Sequence, residues 1–305
     1  MRLNQLRDFL AVVDTGSLRA AARSVGVSQP AITKSIRQLE NELHVQLLQR
    51  NARGAAVTRA GKALLSRARV IQAELRKAQD DLQLLRGGAS GAVAFGIAPA
   101  SCTLIVPEAM LRFRRHHPAA SVRIVEGVNT ALLPLVRDET LDFSIGQAPG
   151  ARLEGALKFK PLFRPELAVV GRRGHPLRSA RSLRELAQAS WLMFYPLGAG
   201  ATLEKAFGAL GLPLPQAIVQ CESYASALAL LAKTDVLGLI IPQVMGGAFG
   251  RRDLQVIPVE EAIPAPLVGL YARSDAPLTP AAAAMAQAVT ATARRLAREQ
   301  AVNRA

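Results

Sequence analysis

Cysteine is nearly missing from this 305-residue chain, which has two, Cys102 and Cys221. That is too few for a disulfide framework and is in keeping with a reducing compartment. Histidine is almost as scarce. The four present (His44, His116, His117 and His175) show none of the spacings by which side chains gather around a metal, and His116-His117 reads as the basic end of a helix. No run of about 20 apolar residues occurs, so no membrane span is expected. The opening residues, Met1-Arg2-Leu3-Asn4-Gln5, enter an amphipathic pattern that already holds Asp8 and Asp14. This is not a secretory leader, and a cytoplasmic protein is expected. H-E-x-x-H, G-x-S-x-G, a Walker loop and a dinucleotide fingerprint are all lacking, and Ala199-Gly200 and Gly246-Gly247 are turns without flanking signatures. Neither an enzyme nor any cofactor or metal is expected.

Apolar and basic residues are plentiful. Half of the chain is hydrophobic, enough for a sizeable core, and the length suggests about two domains at roughly 150 residues each. Acidic residues are outnumbered, 23 against 38 Lys and Arg, for a formal charge of +15. The excess is uneven: residues 1–87 hold 15 basic and 7 acidic residues, a net +8 in under a third of the chain. A basic excess concentrated in a short domain is the footprint of nucleic-acid binding.

Leu3, Leu6, Phe9, Leu10 and Val13 recur at helical spacing, so a first helix is expected to about Asp14. Ser17 is placed to cap a second, with Leu18, Ala21, Ala22 and Val25 on its apolar face and Gly26 at its end. Val27 is available to plug the core between the helices. Ser28 caps a third, with Pro30 in its first turn and Ile32, Ile36, Leu39 and Leu43 facing inward. Its other face carries Gln29, Thr33, Lys34, Arg37 and Gln38. Helix, glycine turn and helix with a donor-rich second member is the arrangement that lays a recognition helix in the major groove. Gln and Arg can address base edges there while Lys finds phosphate. Residues 47–50 and 56–58 read as two short strands that set Arg50 and Arg53 on a hairpin suited to the minor groove.

These segments together resemble the signature of LysR-type transcriptional regulators: Ser17-Leu18-Arg19-Ala20-Ala21-Ala22, Val27-Ser28-Gln29-Pro30-Ala31-Ile32-Thr33, Ile36-Arg37-Gln38-Leu39-Glu40, Leu47-Leu48-Gln49-Arg50 and Thr58-Arg59-Ala60-Gly61. Leu48 stands where that family's wing usually has Phe. The resemblance implies a winged helix-turn-helix at 1–58, with Ser28, Gln29, Pro30, Thr33, Lys34, Arg37, Arg50 and Arg53 at double-stranded DNA. It further implies a linker helix at 59–87 used for dimerisation, an effector domain at 91–305 like a periplasmic binding protein, and RNA polymerase as a partner.

The linker pattern also stands on its own spacing. Leu64, Ala68, Ile71, Leu75, Ala78, Leu82 and Leu85 alternate steps of four and three, three heptads of a and d positions. Such a helix either packs along its own domain or pairs with a second copy, and a seam this narrow and regular favours the second copy. A homodimer would match a palindromic operator; a tetramer is equally compatible with the sequence.

From Gly91 onward short apolar runs alternate with helices. Strands are expected at 92–97, 121–125, 141–145, 166–170, 191–194, 217–220, 237–241, 254–258 and 268–271. Helices are expected at 104–116, 130–138, 202–210, 224–232 and 280–299. This is an α/β pattern with mostly parallel sheets and ligands beyond the strand C-termini. The chain is expected to cross between two lobes near Pro161 and return near Ala265, giving lobe I at 91–160 and 268–305 and lobe II at 161–267. The cleft between them would be lined by Pro99, Ala100, Ser101, Cys102, Asn129, Thr130, Gly200, Thr202 and Ile241-Pro242. Ser101, Asn129 and Thr202 would precede helices, which suits a carboxylate or sulfonate, so a small anionic effector is expected. Tyr195, Phe163 and Phe194 could add aromatic walls. Two other readings compete. The C-terminal half alone would fit a secreted solute-binding protein, against which the DNA-binding segment argues. A redox-sensing regulator would use Cys102 and Cys221, with a helix N-terminus lowering the Cys102 pKa.

Overall fold

The computed structural model describes residues 1–51, 54–85, 91–150, 153, 156–194, 202–246 and 252–302. The chain divides into an N-terminal unit that contains residues 1–87 and a C-terminal unit that contains residues 88–137 and 141–305.

The N-terminal unit runs α1 (Leu3–Thr15), α2 (Leu18–Val25), α3 (Gln29–Leu43), β1 (Leu48–Asn51), β2 (Gly54–Val57) and α4 (Arg59–Leu85). Each boundary has a local cause. Gly16 and Gly26, at φ 67° and 76°, end α1 and α2 in the left-handed region that glycine alone enters freely. Ser17 Oγ accepts from the Ala20 N–H and Ser28 Oγ from the Ala31 N–H, so both predicted caps are in place; each such cap is worth about 1 kcal/mol. Thr58 starts α4 by accepting from the Gly61 N–H at 3.0 Å. Phe9, Val12, Ala21, Ala22, Ile32, Ile36, Leu39 and Leu47 form one buried cluster, and the two alanines let α2 cross its neighbours closely.

Three details differ from expectation. Leu3 is exposed at the open end of α1. Val27 does not plug the core; it is 39% exposed, and its N–H closes the α2–α3 turn on the Ala22 carbonyl. The wing strands start elsewhere than read, with Leu48 opposite Val57 in an antiparallel pair.

The linker seam is split. Leu6 and Leu10 of α1 bury Ala68 of α4, with Leu64 and Ile71 beside them. Those three seam positions therefore pack on their own unit, because α1 supplies the apolar partner a second copy would otherwise provide. Beyond them Leu75, Ala78 and Leu82 are exposed, Leu75 at 42% and Leu82 at 59%. The backbone of Leu85 ends the helix; its side chain is outside the described part.

The C-terminal unit continues with β3 (Ala92–Ile97), α5 (Pro99–His116), β4 (Ser121–Glu126), α6 (Asn129–Arg137), β5 (Phe143–Gln147) and β6 (Leu157–Phe163). Then come β7 (Ala168–Arg172), β8 (Ser190–Met193), α7 (Thr202–Gly208), β9 (Ile218–Gln220), α8 (Tyr224–Lys233) and β10 (Val236–Ile240). It closes with α9 (Gln243–Gly246), β11 (Leu254–Ile257), β12 (Val268–Arg273) and α10 (Pro280–Val302). Two five-stranded sheets result, ordered β4-β3-β5-β12-β6 and β11-β7-β10-β8-β9.

Each sheet combines two parallel with two antiparallel pairings, so neither is mostly parallel. In the first sheet the returning strand β12 runs against both of its neighbours; in the second β7, the first strand after the crossing, does the same. Strand β6, which lies at a sheet edge, was not expected from the sequence. Its Lys158, Lys160 and Pro161 break the apolar pattern, and edge strands tolerate such residues. Strand β6 pairs with β12 from Leu157 to Phe163, with an irregularity at Leu162, so the chain crosses after Phe163 rather than at Pro161. Phe95 and Phe143 stack in the first sheet's core at 5.2 Å, and Trp191 meets Phe207 edge-on in the second. Among the described residues no helix is long and apolar enough to cross a membrane, and no His, Cys, Asp and Glu cluster could hold a metal ion.

Candidate functional site

The first candidate surface lies on α3. Gln29, Pro30, Lys34, Arg37 and Gln38 are exposed and Thr33 is half-buried. They line a shallow concavity with Asn41, which was not singled out beforehand because a lone Asn in a helix carries no signal. A second depression joins α3 to the wing, lined by Leu18, Thr33, Arg37, Glu40, Gln46, Gln49 and Ala55. Thr33 and Arg37 belong to both. The surface has donors at its centre and Glu40 at its edge. The backbone of Arg50 pairs with Ala55; the Arg50 side chain, like the whole of Arg53, lies outside the described residues.

Glu40 explains why the wing stands where it does. Its Oε1 accepts from the Leu47 N–H at 2.8 Å and the Leu48 N–H at 3.1 Å. On the other strand the Ala55 N–H donates to the Gly16 carbonyl at 3.0 Å. Both strands are thus hung on helix ends by charge-assisted or backbone bonds. Replacing Glu40 with alanine leaves two partly buried N–H groups unpaired, a cost of about 2–4 kcal/mol at about 1–2 each. A lower melting temperature for the N-terminal unit is expected, with the C-terminal unit unchanged. An unaltered melt would show that water replaces the carboxylate.

The second candidate is a cavity of about 110 Å³ between the two sheets of the C-terminal unit. That is the order of size that accepts a single small ring, roughly 150 Å³ for benzene. It lies at the C-terminal ends of parallel strands, with Ala98–Ser101 after β3, Gln147 at the end of β5, Met193 and Phe194 at β8 and Ile240 and Ile241 at β10. Both connections between the sheets border it, through Pro165 and Leu167 on one and Pro266 and Val268 on the other. The walls are largely apolar. The polar side chains among the described lining residues are Ser101, Gln147, Thr202 and Tyr224, and none is charged.

Of the predicted lining, Pro99, Ala100, Ser101, Thr202 and Ile241 are in the cavity wall. Gly200 lies outside the described residues, as do Tyr195 and the rest of 195–201. Cys102, Asn129, Thr130 and Pro242 do not line it. Asn129 is committed elsewhere: its Nδ2 donates to the Gln147 carbonyl at 2.8 Å and to the Tyr271 hydroxyl at 3.3 Å. Thr130 is exposed to solvent. Ser101 is not a cap, since α5 begins five residues earlier than read, at Pro99. The N–H groups of Ser101 and Cys102 already donate to the Ala98 carbonyl, which weakens that helix end as an anion site. Burial and the charge of Glu126 push the Cys102 thiol up to about 11, the opposite of what a thiolate-based sensor needs. Gln147, Met193 and Ile240 were legible from the rule that ligands sit beyond strand C-termini; Leu167, Tyr224 and Pro266 were not.

Comparison with known proteins follows the same division. Residues 3–62 match the "Bacterial regulatory helix-turn-helix protein, lysR family", and residues 86–294 match the "LysR substrate binding domain". The transcriptional regulator PcaQ of Agrobacterium fabrum is 30% identical over 282 residues, covering 90% of this chain and 89% of its own. The regulator GbpR of Azospirillum brasilense is 29% identical over 288 residues, covering 92% and 84%. Among solved structures, the LysR family regulator CbnR has a TM-score of 0.71 at 20% identity, covering 96% of this chain and 99% of its own. A full-length OxyR variant of Pseudomonas aeruginosa has a TM-score of 0.69 at 21% identity, covering 98% and 97%. CbnR has also been solved in complex with its target DNA.

Proposed function

The chain belongs to the LysR family, DNA-binding transcriptional regulators with an effector domain rather than enzymes, and on that premise we propose how its own residues divide the work. The exposed face of α3 reads DNA: Gln29, Thr33 and Arg37 meet base edges, Lys34 meets phosphate, and Ser28 and Pro30 hold the helix start against the backbone. The wing adds Arg50 and Arg53 at the minor groove. The observation that carries this reading is the donor-rich concavity on α3, continuous with the wing through Thr33 and Arg37.

Two copies pair through the outer half of α4. Leu75, Ala78 and Leu82 support this, being apolar and exposed in the last three turns of a 27-residue helix. A two-fold pair presents two reading heads to a palindromic operator. The cavity between the sheets takes a small organic acid with a mainly apolar body, whose acid group meets the Ser101 and Thr202 hydroxyls. Binding there changes how the two connections at Pro165 and Pro266 set the lobes, and so the spacing of the heads and the contact with RNA polymerase.

The test is binding to the DNA upstream of the protein's own reading frame, by fluorescence anisotropy at two salt concentrations. Arg37→Ala is expected to lose about 1–3 kcal/mol and to relax selectivity. Lys34→Ala is expected to weaken all DNA alike and to flatten the salt dependence by about one phosphate contact. If both variants bind as the parent does, α3 is not the reading helix.

A further inference from the structure

Tyr224, the first residue of α8, is 5% exposed, yet its hydroxyl has no hydrogen-bond partner among the described residues. Its ring is held against Phe194 with centroids 5.2 Å apart, and both residues belong to the wall of the cavity between the sheets. An unpaired buried hydroxyl is costly, and folded proteins rarely keep one without a use for it. Phenylalanine would fill the same space beside Phe194 without that cost. An acceptor received by the cavity, whose wall includes Tyr224, would supply the missing partner. Burial, with the Glu126 charge adding to it, drives its ionisation far above the ordinary range for tyrosine, so at neutral pH it is a protonated donor. With the acid group of the effector at the Ser101 and Thr202 hydroxyls, the oxygen left for Tyr224 is an uncharged one on the effector's body.

We propose that Tyr224 is a specificity-determining residue of the effector cavity: its hydroxyl donates to an uncharged oxygen on the body of the effector. The effector class is thereby narrowed to organic acids that carry a hydroxyl or keto oxygen in addition to the acid group. This rests on the reading of the cavity as the effector site.

The experiment uses the full-length protein and three pairs of probes: benzoate with 4-hydroxybenzoate, butanoate with 3-hydroxybutanoate, and pentanoate with 4-oxopentanoate. Affinities are measured by calorimetry for the parent and for Tyr224→Phe, and the ligand-free melting temperature is measured for both. The parent is expected to prefer an oxygenated acid over its partner by about tenfold, as one hydrogen bond of about 1.4 kcal/mol gives. Tyr224→Phe is expected to lose that preference, to bind the unsubstituted acid as before, and to melt at the same temperature or higher. A preference that survives in Tyr224→Phe overturns the inference and leaves the cavity reading standing. A lower ligand-free melting temperature also overturns it, because the hydroxyl then has a structural partner. If no acid of the set binds the parent, the cavity reading falls and the inference with it.

Discussion

Gly61→Ala is expected to weaken DNA binding at least tenfold while leaving the C-terminal unit folded. Gly61 lies in the first turn of α4, and a Cβ built on it would stand 2.1 Å from the Leu47 carbonyl oxygen and 2.8 Å from Val57 Cγ1. The first contact is with backbone, so no rotamer change relieves it. That carbonyl is also the acceptor for the Thr58 N–H at 3.0 Å and lies within 3.2 Å of the Thr58 hydroxyl. A methyl group at 61 must therefore push α4 away from the β1–β2 hairpin or break the cap that starts the helix. Overpacking of this kind costs about 1–3 kcal/mol, and the lost cap about 1 more. That is a large share of what holds a unit of this size together. Hydrogen exchange is expected to lose protection across β1, β2 and the start of α4, and operator affinity to fall at least tenfold. Gly26→Ala is the useful contrast: its φ is +76° but its Cβ position is open, so only the strain of a left-handed alanine, about 1 kcal/mol, is expected. Gly61→Ala melting and binding like the parent would refute the close packing of α4 on the wing.

Leu75→Asp combined with Leu82→Asp is expected to dissociate the protein and to cost operator affinity at least a hundredfold. Both side chains are exposed in the single chain, so the substitutions should leave the monomer's melting unchanged while placing four like charges in a paired seam. One head then binds without the second held near its half-site, and the gain from linkage is lost. Sedimentation at micromolar concentration decides it. If the variant sediments as the parent does, the copies associate through another surface and the outer half of α4 is a solvated face. Ala68→Asp is predicted to behave differently, unfolding the N-terminal unit outright, because Ala68 is enclosed by Leu6 and Leu10. One heptad pattern thus yields two opposite phenotypes.

That division is a fair measure of what could be read from sequence. The caps at Ser17, Ser28 and Thr58, the glycine stops at 16 and 26 and the apolar faces of α1 to α3 were all legible. Each depends on residues within four positions of one another, where side-chain type and spacing settle the conformation. The exposed donors of α3 followed from the same periodicity. The heptad seam was legible as a pattern but not as a partnership, since Leu64, Ala68 and Ile71 look the same whether they meet α1 or another chain.

The cavity between the sheets shows the limit more sharply. Ser101, Asn129 and Thr202 all looked like helix-start residues facing a ligand. In the fold Ser101 and Thr202 line the cavity, whereas Asn129 is held by a carbonyl 18 residues away and a hydroxyl 142 residues away. Tyr224 reaches the same wall from a helix whose own sequence carries no sign of it.

The amino-acid sequence by itself determined most of the elements, though not β6 or α9, together with the donor-rich face of α3 and the family, because local hydrogen bonding and the 3.6-residue and two-residue periods act within short windows. Only the tertiary structure decided which half of α4 is already buried, where β6 belongs, and which polar groups the cavity leaves unpaired. Those depend on contacts between residues far apart in the chain, where burial and the exhaustion of hydrogen-bond partners are properties of the assembled core.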